Sequence, residues 1–231
     1  MSMGAVDDPS VPACPPGHDH GAHDDGARGP SRDTGSADRA PRARVTALPV
    51  LRNRRVTLRQ LRAADAAALL AHVSPPDVLR HIAPAPTTME GMKRFIRWTH
   101  AQHRRRSHIA FGVVPAGQSH AVGILQCWPV ELDWSTAEWG FIVGQPYWGT
   151  GLFDSSARLM LDFAFGTMGV RRLEARSADA NGRGNGALRK LGAVREGMLR
   201  SAFRQGTVVR DHVMWSILSN EWQAEAHGSA C

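Results

Sequence analysis

Residues 138–152, EWGFIVGQPYWGTGL, decide the fold of this chain. The stretch begins as a strand: Thr136, Glu138, Gly140 and Ile142 share one side, and Ala137, Trp139, Phe141 and Val143 the other. The proline of Gly144-Gln145-Pro146 removes an amide donor and ends any ladder. The chain then passes through Gly149-Thr150-Gly151 into an amphipathic helix. The apolar face of that helix consists of Leu152, Ser156, Leu159 and Phe163.

A strand, a glycine turn and a helix in this order aim free backbone N–H groups at an anion. We interpret residues 149–153 as a pyrophosphate cradle, with a plain tight turn as the alternative. A dinucleotide fold is a second alternative, because Glu174 follows about twenty residues on, where a ribose-binding acid would lie. That fold would require a third glycine where Asp154 stands, and an aspartate repels phosphate.

The composition separates the chain into a long tail and a basic domain. Residues 1–44 contain almost no apolar run, so we expect them to be disordered. They hold five arginines and seven aspartates, a net charge of −2, which leaves +9 for the remainder of a chain whose formal charge is +7. A basic domain suits an anionic cofactor or an acidic partner. Residues 104–106 form the only tight arginine cluster, and we predict no nucleic-acid partner.

Other sequence signals concern location and metals. No run of about 18 apolar residues is present and no signal-peptide pattern opens the chain, so we expect no membrane contact. Cys14, Cys127 and Cys231 lack metal or redox spacing, which is typical of a reducing cytoplasm. The histidines and aspartates of residues 18–25 could bind a metal ion loosely. We predict no functional metal site.

The order of elements along the chain is predicted as β-α-α-β-β-β-α-β-α-β-β. A capping box at Thr87-Thr88-Met89-Glu90 starts the second helix, which buries Met92, Phe95, Ile96 and Thr99. Three consecutive strands with short connections, the third at residues 136–143, form an antiparallel meander. This argues against the dinucleotide fold.

Three stretches together resemble the GNAT superfamily of acyl-CoA-dependent N-acyltransferases, in the branch of the Rim-type ribosomal-protein and N-terminal acetyltransferases. Residues 146–151, PYWGTG, are similar to the signature loop for the CoA pyrophosphate. Residues 181–193 are similar to the Asn-x-x-Ser…Lys-Leu-Gly-Phe motif. The third stretch that resembles the family consists of residues 195–200 together with the closing residues 211–218 and Glu221-Trp222.

The resemblance implies an α/β (α+β) fold: a mixed, largely antiparallel sheet of six to seven strands, about four flanking helices and a V-shaped splay that holds acyl-CoA. The domain would span residues 45–223, and 224–231 would form a flexible tail. The implied co-substrate is acetyl-CoA or another short acyl-CoA, without a metal. Its predicted contacts are Phe141, Ile142, Val143, Trp148, Gly149, Thr150, Gly151, Leu152, Phe153 and Asn181.

The predicted catalytic residues are Glu138 and Asn181. A carboxylate near the splayed strand end could remove a proton from the attacking amine, and the resemblance places Glu138 beside the thioester. Asn181 could bind the pantetheine chain, or serve as a helix N-cap. Glu131 and Asp133 are poorer candidates for the base. Trp134, Trp139 and Trp148 would line the acceptor groove or belong to the core.

The chain also departs from the family pattern. Pro146, Ser155, Gly184 and Ala193 replace the usual residues, and Leu188 stands where many members have a proton-donating tyrosine. Two functions therefore stay open: an N-acyltransferase acting on a protein N-terminus, a lysine or a small amine, or a non-catalytic acyl-CoA-binding domain. The positive charge argues against a polycationic acceptor. A homodimer is left open.

Overall fold

A computed structural model describes residues 47–82, 85–205 and 207–222. The strands are β1 (Leu51–Arg52), β2 (Val56–Gln60), β3 (Ile109–Pro115), β4 (Gly123–Pro129), β5 (Thr136–Val143), β6 (Arg172–Ala178), β7 (Val194–Gln205) and β8 (Val208–Leu218). The helices are α1 (Ala66–Val73), α2 (Pro76–Leu79), α3 (Met89–Arg104), α4 (Leu152–Asp162) and α5 (Gly182–Lys190). The predicted tails at 1–44 and 224–231, with Cys14, Cys231 and the histidine-rich run, lie outside the described residues.

The described strands form one sheet in the order β1-β2-β3-β4-β5-β6-β8-β7. Neighbouring strands are antiparallel except β5 and β6, which are parallel. The predicted α/β fold with a largely antiparallel sheet is therefore confirmed, and the dinucleotide alternative, which requires a parallel sheet, is wrong. The eighth strand is β1, whose two residues are too few to show a pattern in the sequence.

Each face of the sheet has its own core. Helices α4 and α5 pack on one face, where the larger apolar cluster extends from β2 to β8. Helices α1 and α3 pack on the opposite face, against side chains of β3, β4 and β5. The predicted buried side of α3 is confirmed, since Met92, Phe95, Ile96 and Thr99 are all buried. We call these the α4/α5 face and the α1/α3 face.

Helix α3 begins one residue later than a capping box at Thr87 requires. The hydroxyl of Thr88 accepts a hydrogen bond from the amide of Gly91 at 3.1 Å, so Thr88 is the N-cap. Glu90 then lies one position too early to complete the box and instead pairs with Arg97. The cap itself was predicted, but its register was wrong by one residue.

A buried carboxylate fastens the start of α1 to the sheet. Asp65 accepts hydrogen bonds from both terminal nitrogens of Arg59, each at 2.8 Å, and from the amides of Arg62 and Ala121 at 2.7 and 3.0 Å. Burial alone would raise the pKa of Asp65, but these four donors lower it overall. Asp65 therefore stays ionised and holds α1 close to the beginning of β4.

Candidate acyl-CoA site

Strands β5 and β6 pair over only three residues and then part. The last pair is Glu138 with Glu174, whereas β5 continues to Val143 and β6 to Ala178. Because the two strands run in the same direction, the gap opens toward their carboxyl ends. This gap is the V-shaped splay that the sequence predicted.

A cleft of about 840 Å³ lies along the open side of β5. Ligand pockets for small molecules and cofactors have volumes of this size. Its walls come from the end of β5, the loop that follows, α5 with its N-cap, and residues 77–82, which we call the α2 segment. Of the ten predicted contacts, eight line the cleft: Phe141, Ile142, Val143, Trp148, Gly149, Gly151, Phe153 and Asn181.

The loop between β5 and α4 presents unpaired amides to this cleft. Gly149 and Gly151 have φ angles of +75° and +81°, which favour glycine. Within the described residues, no hydrogen bond uses the amides of Gly149, Thr150, Gly151 or Phe153. These donors converge at the start of α4, where the helix dipole also favours an anion. The loop therefore has the donors and the backbone shape that a pyrophosphate requires.

The remaining two predicted contacts have other partners. The side chain of Leu152 is buried in the larger core cluster, and its amide donates to the hydroxyl of Thr150 at 3.3 Å. That hydroxyl donates in turn to the carbonyl of Tyr147 at 2.8 Å. Neither side chain lines the cleft, so Thr150 and Leu152 shape the loop from behind.

Trp148 joins the end of β5 to the start of α5. Its indole N–H donates to the carbonyl of Val143 at 2.7 Å, and the guanidinium of Arg183 lies 4.2 Å from its ring centre. Arg183 and Lys190 both line the cleft. They place two positive charges on the α5 wall, which suits a phosphate-bearing ligand.

The backbone of β5 points alternate amides into the splay. The amide of Gly144 donates to Val122 of the β4 side at 3.0 Å, so the amide of Ile142 also faces β4 in this antiparallel ladder. The amides of Phe141 and Val143 face the opposite way, toward the gap. Of these three predicted contacts, Phe141 and Val143 direct their amides into the gap, and Ile142 contributes its side chain instead.

Asn181 is the N-cap of α5. Its carboxamide oxygen accepts a hydrogen bond from the amide of Gly184 at 2.9 Å, and its amide nitrogen has no partner among the described residues. A Cβ atom on Gly184 would lie 2.5 Å from that nitrogen. Gly184, which replaces the family's serine, therefore allows this orientation of Asn181.

Glu138 lies where β5 and β6 part, outside the lining of the cleft. It is 6% exposed, and its carboxylate lies 3.5 Å from Nε of Arg176. Burial raises the pKa of Glu138 to about 7, Arg176 opposes this rise, and nearby Glu174 adds to it. A carboxyl group with this pKa is half ionised near neutral pH, as a general base requires.

An aromatic stack supports Glu138 from the β4 side. Trp128 pairs with Glu138 across the ladder, forms a hydrogen bond that lowers the pKa of Glu138, and stacks on His108 with ring centres 5.7 Å apart. Burial lowers the pKa of His108 to about 4, so His108 is neutral at neutral pH. Trp128 therefore contacts Glu138 from the β4 side, and His108 packs behind Trp128.

The other sequence candidates lie elsewhere. Trp139 is buried in the core, and the indole N–H of Trp134 donates to the carbonyl of Arg106 at 3.2 Å. Leu188 of α5 is buried, and its side chain has no hydroxyl group that could donate a proton. The hydroxyl of Tyr147 exchanges hydrogen bonds with Gln118 at 3.2 Å, although the residue lines the cleft.

Several site residues were not predicted from the sequence. Arg55 reaches the cradle and donates to the carbonyl of Thr150 at 3.5 Å. Arg176 reaches Glu138 only because β5 and β6 pair in the observed register. The α2 segment forms one wall of the cleft although its sequence carries no motif.

The fold and the family comparison identify an N-acetyltransferase. The family model for "Acetyltransferase (GNAT) domain" matches residues 55–194, and the chain belongs to this family of N-acetyltransferases. An uncharacterized N-acetyltransferase, p20 of Bacillus licheniformis, is 23% identical over 76% of this chain and 99% of its own length.

Solved structures have the same fold. A GCN5-related N-acetyltransferase from Brucella melitensis has a TM-score of 0.70 at 20% identity, covering 83% of this chain and 89% of that protein. A ribosomal-protein-S5-alanine acetyltransferase from Vibrio fischeri has a TM-score of 0.66 at 18% identity, covering 75% of this chain and 98% of that protein. At these identities the likeness shows the fold alone.

Two further observations apply to the described part of the chain. No helix there is long and apolar enough to cross a membrane. No group of three or more histidine, cysteine, aspartate or glutamate side chains there could hold a metal ion. Cys127, the one cysteine described, is buried and free.

Proposed function

We propose that this protein transfers an acetyl group, or another short acyl group, from CoA to a primary amine, with Glu138 as the general base. The observation that carries the proposal is the position of Glu138. A buried carboxyl group with a pKa of about 7 lies where two strands part beside a cleft whose far end offers unpaired amides. The family gives the class of reaction, and this geometry supports the roles of individual residues.

The donor side of the site matches acyl-CoA in shape and charge. The amides of residues 149–153 would bind the pyrophosphate, and Arg183 and Lys190 would face the phosphates from α5. The free amide nitrogen of Asn181 would hydrogen-bond to the pantetheine chain. When bound, the acyl-CoA supplies a thioester carbonyl that an amine can attack, with the CoA thiolate as the leaving group.

The chain's own residues would then act on the acceptor and on the developing charge. Glu138 takes the proton that the acceptor nitrogen loses as the new C–N bond forms, directly or through a water molecule. The amides of Phe141 and Val143 face the gap and would stabilise negative charge on the carbonyl oxygen. Arg176 keeps Glu138 oriented and limits the rise of its pKa.

The position of Leu188 favours the second candidate, a domain that binds acyl-CoA without catalysing transfer. Where many relatives carry a tyrosine, this chain has a buried leucine that cannot return a proton to the thiolate. The proposal therefore requires that the CoA thiolate receives its proton from water or from the acceptor.

Thiol release from acetyl-CoA and succinyl-CoA, measured against a panel of small amines and N-terminal peptides, tests the proposed function. We expect transfer to at least one acceptor, with an acidic limb in the pH profile of kcat/KM near pH 7. CoA affinity is measured in parallel by calorimetry. CoA binding with no transfer to any acceptor would favour the non-catalytic domain.

A further inference from the structure

Half of the α1/α3 face has no helix packed on it. Helices α1 and α3 cover β2 to β5, whereas β6, β8 and β7 meet no described helix on this face except at the α2 segment. The side chain of Gln205 donates to the carbonyls of Leu79 and Ile82, each at 3.1 Å, and ties the α2 segment to the end of β7. The α2 segment and the β7–β8 hairpin therefore lie side by side, and we call the region between them the trough.

The trough contains nitrogen donors with no hydrogen-bond partner. Arg176, which pairs with Met214, lies on the same face as His212 and Arg210 of β8, because residues two apart on a strand share a face. Nε of Arg176, Nε of Arg210, Nε2 of His212 and Nδ1 of His81 are all buried, and none makes a hydrogen bond within the described residues. Buried donors are rarely left unpaired in native proteins, so the group is expected to meet a ligand.

The carboxylates on this face already have partners. Glu138 pairs with Arg176, while Glu174 and Glu196 both pair with Arg172. Within the described part of the chain Arg210 forms no ion pair. Arg210 lines a smaller pocket together with Asp179 and Asp211 but pairs with neither of them, so its charge has no partner there.

The two histidines confirm that the trough is electropositive. Burial lowers the pKa of His81, and the charges of Arg210 and Arg80 lower it further. Burial and the charge of Arg176 likewise lower the pKa of His212. Both rings are therefore neutral donors beside arginine cations at neutral pH, and Arg80 and His81 also line the cleft.

We infer that the amine acceptor carries a carboxylate and that Arg210, with His81, binds it. This inference rests on the proposed function, because the acceptor must present its amine to Glu138. A carboxylate would give the unpaired nitrogens of Arg210 and His81 an acceptor, and its charge would be neutralised by Arg210. The phosphates of CoA have their own cations, Arg183 and Lys190, on the α5 wall.

The register of the strands sets how far the carboxylate lies from the amine. Glu138 is level with Glu174, which pairs with Ser216, and Arg210 lies six residues further along β8. At about 3.4 Å per residue this separation is about 20 Å along the strand, of which the Arg210 side chain covers part. The carboxylate of a free α-amino acid, one carbon from its amine, does not reach, whereas an acidic side chain at the third or fourth residue of an extended peptide does.

The test compares three hexapeptides that differ only at the third and fourth positions: Ala-Ala-Asp-Asp-Ala-Ala and the same peptide with asparagine or arginine there, since arginine adds positive charge without a primary amine. Their C-termini are amidated. We expect kcat/KM for the aspartate peptide to exceed that for the asparagine peptide at least about tenfold. Arg210→Gln should abolish this preference without changing CoA affinity, and Arg210→Glu should reverse it toward the arginine peptide. Arg195→Gln, an exposed arginine on the other face of the same hairpin, is the matched control and should keep the preference.

The outcomes separate this inference from the proposed function. Equal kcat/KM for the aspartate and asparagine peptides in an active enzyme would overturn the inference and leave the proposed function standing. Free glutamate used as well as the aspartate peptide would also overturn the inference, because its carboxylates lie too close to its amine to reach Arg210 from Glu138. If no peptide is acylated, calorimetry with CoA present decides: tighter binding of the aspartate peptide that Arg210→Gln removes supports the inference, and equal binding overturns it.

Discussion

Replacing Glu138 by glutamine removes a proton acceptor while it keeps the size and polarity of the side chain. If Glu138 is the base, we expect the acyl-transfer rate to fall by about 10² or more. CoA affinity should stay nearly unchanged, because Glu138 does not line the cleft that would hold CoA. Glu131→Gln, which changes an exposed carboxylate in the preceding loop, is the matched control and should retain the parent rate.

The pH dependence of kcat/KM gives a second measurement on the same variant. In the parent enzyme the rate should rise through about pH 7, because burial raises the pKa of Glu138 to about 7. In Glu138→Gln this rise near pH 7 should disappear. The remaining rise in kcat/KM should then follow deprotonation of the acceptor amine, near pH 7.7–8.0 for a peptide N-terminus.

The same substitution has a calculable effect on stability. The carboxyl of Glu138 loses its proton near the ordinary pKa of 4.5 in the unfolded chain and near about 7 in the folded one. Between these values the folded protein binds the proton more tightly, so its free energy of unfolding falls as the pH rises, by about 3 kcal/mol in total. Urea denaturation of both proteins should therefore show Glu138→Gln gaining about 3 kcal/mol relative to the parent between pH 4.5 and pH 8.

Two results would refute this account of Glu138. One is a variant whose rate is only a few-fold below the parent and whose pH profile is the same. The other is a stability difference that does not change with pH, since the carboxyl would then be too well solvated to have a raised pKa.

Three further predictions concern the cradle, the core and the tail. Gly151→Val should weaken CoA binding at least about tenfold by calorimetry, because valine disfavours φ = +81°. The control Gly117→Val, at φ = +78° in a distant turn, should leave CoA affinity unchanged. Equal affinity in both variants would contradict the proposal that residues 149–153 bind the pyrophosphate. Asp65→Asn should lower the free energy of unfolding, measured in urea, by about 3–5 kcal/mol, because it leaves the buried Arg59 without its counter-charge. The control Glu90→Gln, in an exposed ion pair, should lower it by less than about 1 kcal/mol. Similar losses in both variants would show that burial does not strengthen the contribution of the Asp65 pair. Removal of residues 1–44 should change neither the melting temperature nor CoA affinity, and a loss of either would show that this segment contributes to the domain.

Local patterns in the sequence predicted most of the fold. The alternation in residues 136–143 and the glycine turn before α4 depend on neighbours along the chain, and the structure has both where they were predicted. Seven of the eight described strands were predicted in the observed order along the chain. The cap of α3 was displaced by one position because Thr87 and Thr88 have equal capping ability.

The acceptor half of the site could not be predicted, because it depends on contacts between distant segments. The sequence shows that Arg176 and Glu138 lie on strands, but their ion pair follows from the β5–β6 register. The approach of His81 to Arg210 similarly requires the α2 segment to dock on the β7–β8 hairpin. The N-cap role of Asn181, by contrast, is local and was one of the two roles predicted; it uses the carboxamide oxygen and leaves only the nitrogen for a ligand.

The brief pairing of β5 with β6 has a consequence for engineering this protein. The proposed acyl-donor contacts lie on β5, its following loop and α5, whereas the inferred acceptor contact Arg210 lies on β8, across the gap where the strands have parted. Substitutions separated by more than about 7–10 Å, with no shared partner, have nearly additive free-energy effects. A library restricted to positions 210 and 212 should therefore redirect the choice of amine while leaving CoA affinity intact, and its variants could be combined with cradle substitutions without rescreening.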